Sequence, residues 1–121
     1  MRYVIVDLEA TCWMGRPDPR QMEIIEIGSV LLASKTGPIE KEFASFVRPI
    51  RKPMLSAFCM GLTGIQQHQI DKADDFSKVL LWGEQKRVIT GSDILGRLLR
   101  GISRREPAHA PANPEPDSRH A

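Results

Sequence analysis

The sequence predicts an α/β fold: a mixed sheet with flanking helices. Three observations carry this expectation. Three segments rich in β-branched and apolar residues lie within the first 47 positions, helical periodicity with capping residues follows, and a further β-branched run, Arg87-Val88-Ile89-Thr90, comes later. Strands, then helices with another strand, read as one layered α/β domain.

The first strand is Tyr3-Val4-Ile5-Val6 and its continuation. These are strong β-formers, and an unbroken apolar run suits a strand buried on both faces. Met14 to Arg20 is a loop set by Gly15, Pro17 and Pro19. Residues 23–33 form the second strand, the turn 34–38 follows, and residues 39–47 pair back as a hairpin. Gly28 inside the second strand suggests a close backbone approach or a bulge. Pro49 and Pro53 close the third strand.

Thr63-Gly64-Ile65-Gln66 has the form of a capping box, which predicts a short helix from Gly64 to Ile70. Asp74 or Asp75 caps the next helix, whose buried face is Phe76, Val79 and Leu80 at i, i+3 and i+4. Residues 87–90 predict a fourth strand. Ser92-Asp93 then starts a helix running to Leu99 or Arg100. From Gly101 to Ala121 the composition changes: Pro107, Pro111, Pro114 and Pro116 stand among Arg, Ala, His and Asn, with Ile102 as the single large aliphatic residue. Such a stretch buries too little surface to offset its ordering entropy, so disorder is expected.

Composition narrows the class. A chain of 121 residues suits one domain, and 41% hydrophobic with 26% charged residues is ordinary for a globular protein. No apolar stretch approaches the ~20 residues of a membrane helix. The start runs straight into a strand without a signal-peptide pattern, so a cytoplasmic location is expected. Cys12 and Cys59 match neither a zinc spacing nor a disulfide framework, and read as thiols in or near the core. The net charge of +2 lies wholly after Trp82: ten basic and ten acidic residues precede Gly83, and seven basic and five acidic follow. That excess is compatible with nucleic acid but does not argue for it.

The informative motif is Asp7-Leu8-Glu9. Side chains alternate along a strand, so Asp7 and Glu9 share one side with Leu8 opposite. Carboxylates held that close repel, and a divalent cation removes the penalty. Hard cations prefer carboxylate oxygens, so the pair reads as half of a Mg²⁺ or Mn²⁺ site. The alternative is a solvated strand end.

Asp7-Leu8-Glu9-Ala10-Thr11-Cys12-Trp13 resembles the first motif of the DEDDh 3′–5′ exonucleases, in the branch of the histone-mRNA 3′ exonuclease. The likeness continues through residues 23–28, 46–49, 55–59, 62–65 and 70–73, in order, and covers roughly residues 3–82. The resemblance implies a ribonuclease-H-like fold that takes nucleotides singly from a 3′ end, with two metal ions, Mg²⁺ or Mn²⁺, on the scissile phosphate. It also implies roles. Asp7 bridges the two ions, Glu9 holds the ion that binds the attacking water, and the backbone at Ala10 meets the terminal nucleotide. Leu62 and Thr63 match positions that contact the last base and sugar. Both have an ordinary structural use as well, since a leucine before a cap packs inward and a threonine caps. Trp13 either stacks a base or packs in its loop.

The family pattern also needs two more aspartates and a histidine. Asp93 stands near the place of the second-motif aspartate without its Trp-Gly neighbours, and Ser92-Asp93 is equally an ordinary helix start. No His-x₄-Asp occurs in these residues. His68 comes too early, and His109 and Asp117 lie in the proline-rich tail, where nothing rigid would hold a general base. The expected organisation is a partial exonuclease domain over 1–100 and a tail over 101–121, as a frame shift or truncated gene would produce. Two readings follow. One is a 3′–5′ exonuclease acting on single-stranded RNA or DNA ends, weak or inactive as given. The other is a non-catalytic remnant of the fold that binds nucleic acid or a partner.

Overall fold

A computed structural model describes residues 1–15, 18–89 and Ser92. In chain order it contains β1 (Tyr3–Ala10), β2 (Ile24–Leu32), β3 (Ile39–Phe46), α1 (Ala57–Thr63), α2 (Gln67–Asp71) and α3 (Phe76–Gln85), with a 3₁₀ turn at Pro19–Gln21. The sheet has the order β1-β2-β3 and both pairings are antiparallel. A parallel strand that would make the sheet mixed is not among the described residues. The helix expected from Ser92 and the tail fall outside them, apart from Ser92 itself, which is helical.

The register explains how each face is used. Leu8 lies opposite Ile27, Val6 opposite Ser29 and Val4 opposite Leu31; Phe43 of β3 lies opposite Ser29. This face meets α3. Ile24, Ile27, Leu31, Phe43, Val47, Val79, Val88 and Ile89 form its core, with Val6, Leu8, Phe76 and Leu80 packed at the margin. The other face carries Ile25 and Phe46, which join Leu55, Cys59, Ile65 and Ile70 beneath α1 and α2, with Cys12 and Met60 alongside. Ile24 and Ile27 reach one core while Ile25 reaches the other because Ala10 pairs with Ile24 after Glu9 has paired with Glu26. That skipped residue is a β-bulge, and it reverses the alternation locally.

Several local expectations change. β1 is not buried on both faces: Tyr3 and Val4 are 38% exposed and Ile5 54%, because β1 is the edge of the described sheet with β2 as its single neighbour. Gly28 is neither a bulge nor a close approach. A Cβ there would stand 3.9 Å from the Asp7 carbonyl oxygen, an ordinary contact. Thr63 does not open a helix; it closes one. Ser56 caps α1 by accepting from the Cys59 N–H, and Gly64 ends it in the left-handed region at φ 76°. The capping box belongs instead to Gln66 and Gln69 at the start of α2. Asp75, of the two candidates, caps α3 by accepting from the Lys78 N–H.

Residues 87–89 do not form a strand. Arg87 takes a left-handed φ of 57° after the last turn of α3, and the Val88 N–H returns to the Gly83 carbonyl at 3.3 Å. This 6→1 closure is a Schellman ending with arginine where glycine is usual. It folds the chain back under α3, so that Val88 and Ile89 are buried and the Val88 carbonyl accepts from the buried Ser29 hydroxyl. The close fit requires Gly83: a Cβ at that position would overlap the Ile89 Cγ2 methyl and touch Phe43 at 3.5 Å. Gly83→Ala is therefore expected to lower unfolding stability by about 1–3 kcal/mol, although alanine is the better helix former by ~1 kcal/mol. Urea unfolding checks this, and an unchanged or higher midpoint would contradict the packing.

Candidate metal and nucleic-acid site

β1 positions the acidic pair. Asp7 lies opposite Gly28 and Glu9 opposite Glu26. Directly opposed residues share a face, so Asp7, Glu9 and Glu26 stand together on the α1/α2 side of the sheet. Glycine opposite Asp7 leaves that part of the face open, and Asp7 is exposed while Glu9 is half-buried. The Glu9 carboxyl is held above the usual carboxylate range, first by partial burial and then by the charges of Asp7 and Glu26. The face therefore stores like-charge repulsion that a cation would relieve.

The donor chemistry fits such an ion. Magnesium commonly keeps several waters and takes one or two protein carboxylates together with substrate phosphate oxygens. Asp7 and Glu9 supply that minimum. Among the described residues no set of three or more His, Cys, Asp and Glu side chains forms a closed metal cage, so further coordination has to come from water or ligand.

α1 is fastened over the end of β1. The Ser56 hydroxyl donates to the Cys12 carbonyl at 2.6 Å while accepting from the Cys59 N–H at 3.0 Å. The Cys59 thiol donates to the Ala10 carbonyl at 3.8 Å. Ala10 thus has its carbonyl turned to α1. At the far end of α1 the Thr63 hydroxyl donates to the Cys59 carbonyl and accepts from the Ile65 N–H, so its polar capacity serves the helix ending. Leu62 is different: it is 64% exposed and packs in neither core cluster. A leucine left outward on a helix pinned beside the acidic face is available to an apolar ligand surface.

A second anchor lies beyond the strand end. The Glu23 carboxylate accepts from the backbone N–H groups of Ile50, Arg51 and Lys52 at 2.8–3.2 Å, and the Glu23 N–H donates to the Thr11 hydroxyl at 2.9 Å. Burial alone would raise this carboxyl, but the Lys52, Ile50 and Arg51 amides and the Arg51 charge outweigh it and hold it below the usual range. Trp13 packs in its loop, with the Lys52 ammonium 4.9 Å from its ring centroid. His68 is exposed on α2. Asp93 lies outside the described residues. Glu26 and Glu23 carry weight that sequence reasoning missed. Only the strand register reveals Glu26, and only the return of the 50–52 loop reveals Glu23.

The exonuclease profile of the RNase T family matches residues 4–94, about three quarters of the chain. This chain belongs to that exonuclease family. The mouse 3′-5′ exoribonuclease 1 is 47% identical over 90 residues, which cover 71% of this chain and 26% of the relative. The Drosophila 3′-5′ exonuclease Snipper is 53% identical over 72 residues, covering 57% and 26% respectively. Among solved structures, the nuclease domain of 3′hExo, a DEDDh member bound to rAMP, superposes with a TM-score of 0.62 at 36% identity, over 85% of this chain and 60% of that one. A 3′-exonuclease recognising the histone mRNA stem-loop gives the same TM-score at 42% identity, over 74% and 32%. The fold is thus that of the ribonuclease-H-like DEDDh exonucleases, a family that generally uses divalent metal ions. The chain spans about a quarter of the length of the mouse and fly relatives.

Two tests follow from the electrostatics. The raised Glu9 value means that its charged form weakens the fold as pH rises above the ordinary 4.5. Asp7→Asn should therefore raise the melting temperature at neutral pH without metal, and should remove the added stability given by Mn²⁺, which for a bound ion at 100 times its Kd is about 2.7 kcal/mol. A metal response identical in the variant would refute the site. The lowered Glu23 value works in the opposite sense. Its contribution is complete above 4.5 and is lost as pH falls through the lower folded value. Glu23→Gln should destabilise the protein at neutral pH, with the difference shrinking in strong acid; a pH-independent difference would exclude the carboxylate–amide nest as its cause.

Proposed function

We propose that this chain carries the metal- and 3′-end-binding portion of a 3′–5′ exonuclease acting on single-stranded RNA or DNA, with Mg²⁺ or Mn²⁺ held by Asp7 and Glu9. The observation that supports it most directly is the shared face of these two carboxylates within the span matched by the exonuclease family. The ion, when bound, supplies Lewis-acid polarisation of the scissile phosphate and a more acidic water. Asp7 and Glu9 fix its place, Ala10 brings the strand end against the terminal nucleotide, and exposed Leu62 gives the last base an apolar contact. Thr63 contributes through the end of α1, since its hydroxyl is already engaged.

Hydrolysis by these 121 residues alone should be slow or absent. They contain no His-x₄-Asp, so the base that would take the proton of the attacking water is missing from them. Binding and turnover are therefore separable. A labelled single-stranded oligonucleotide with a free 3′-hydroxyl should bind in the presence of Mn²⁺ and release mononucleotides slowly at most, and Asp7→Ala should abolish both. Leu62→Ala should weaken binding about tenfold, the equivalent of ~1.4 kcal/mol, without lowering the melting temperature, because Leu62 is exposed. Metal-dependent binding with no release would identify the non-catalytic remnant of the fold. Binding that ignores both metal and Asp7 would overturn the proposal.

A further inference from the structure

The sheet has two outer edges of opposite character. On β3 the edge is charged, with Glu40, Lys41 and Glu42 all exposed. Charges along an edge discourage another strand from adding. β1 has no charged residue between Arg2 and Asp7, and among the described residues nothing pairs with its outer side. Its side chains alternate, so exposed Val4 lies on the α3 face and exposed Tyr3 and Ile5 on the other. The free edge is consequently apolar on both faces. We infer that this edge pairs antiparallel with β1 of a second copy of the chain, joining two three-stranded sheets into one of six strands.

A second copy is the occupant that the rest of the sequence favours. The other two β-rich segments are already inside the sheet. Residues 90–121 hold only Thr90, Ile94 and Ile102 as β-branched residues, none adjacent, with no Phe, Tyr or Trp and four prolines. The run best suited to extend the sheet is therefore another β1.

Charge sets the direction. In-register parallel pairing would place Asp7 beside Asp7 and Glu9 beside Glu9, and like charges side by side across a pair destabilise it. Antiparallel pairing about Ile5 sets Val4 of one copy opposite Val6 of the other, Tyr3 opposite Asp7, and Ile5 opposite Ile5. Each acidic end then runs beside the Arg2 end of its neighbour. The two Asp7 residues fall four positions apart along the strands, about 13 Å at the usual rise, which is beyond the Debye length of ~8 Å at physiological salt. The two-fold axis stands normal to the sheet, so both helical layers continue on their own sides. The charged β3 edges remain outermost and stop growth at two copies.

Sedimentation velocity over a range of concentrations, in EDTA so that metal binding plays no part, tests this. Wild type should show a monomer–dimer equilibrium. Ile5→Lys and Ile5→Glu should each weaken association at least tenfold while retaining the wild-type circular dichroism spectrum, since Ile5 is half exposed. An equimolar mixture of the two variants should associate again, because Lys and Glu then face each other across the axis. Ile39→Lys, on the opposite edge, should leave association unchanged. A monomer at every concentration, undiminished association of the Ile5 variants, loss of association in the Ile39 variant, or a mixture that stays monomeric would each overturn the inference.

Discussion

The pairing of β1 with β2 is the constraint on which the rest depends. It sets Glu9 against Glu26 and Asp7 against Gly28, which crowds carboxylates at one end of a face and leaves the ground beside them open. A slip of one residue would send Asp7 and Glu9 to the apolar α3 side. The register is protected against that slip by Val6 and Leu8, which pack into the α3-side core, and by the bulge that returns Ile24 to the same core. Apolar packing on one face thus maintains an electrostatically costly arrangement on the other.

The carboxylates near the strand end meet different fates. Glu23 is satisfied internally, by three amides, and its role is to hold the 50–52 loop against the end of β1. Glu9 finds no comparable donors among its printed contacts and is pushed toward the protonated form by burial, Asp7 and Glu26. A group that the fold stabilises as an anion does structural duty. One that the fold penalises as an anion is poised for something from outside, and strongly perturbed acids mark functional sites for this reason. Ser56 and Cys59 then fix the opposite wall by fastening α1 to the Cys12 and Ala10 carbonyls.

Much of this was legible in the chain. The three strands are recoverable from β-branched runs, α3 from Phe76, Val79 and Leu80, and the shared side of Asp7 and Glu9 from strand alternation alone. What failed to show depends on partners distant in sequence. The exposure of β1 reflects a missing neighbour, which a run such as Tyr3-Val4-Ile5-Val6 cannot report. Val88 and Ile89 read as a strand because β-branched residues suit one, yet the left-handed turn at Arg87 and the small Gly83 beneath them favour burial under α3. Thr63 read as a helix start because Gln66 follows at the right spacing, but Gly64 makes a better stop than Thr63 makes a start. Glu26 could not be recognised, since it meets Glu9 only through the pairing.

The most direct test of the central claim is a Mn²⁺ titration of uniformly ¹⁵N-labelled protein followed by amide line broadening. The paramagnetic ion should first extinguish signals from residues 6–10 of β1 and from 26–28 of β2, leaving α3 and the outer edge of β3 sharp at the same metal ratio. Broadening that begins elsewhere, or that spreads evenly over the acidic surface, would show that Asp7 and Glu9 do not hold the ion together.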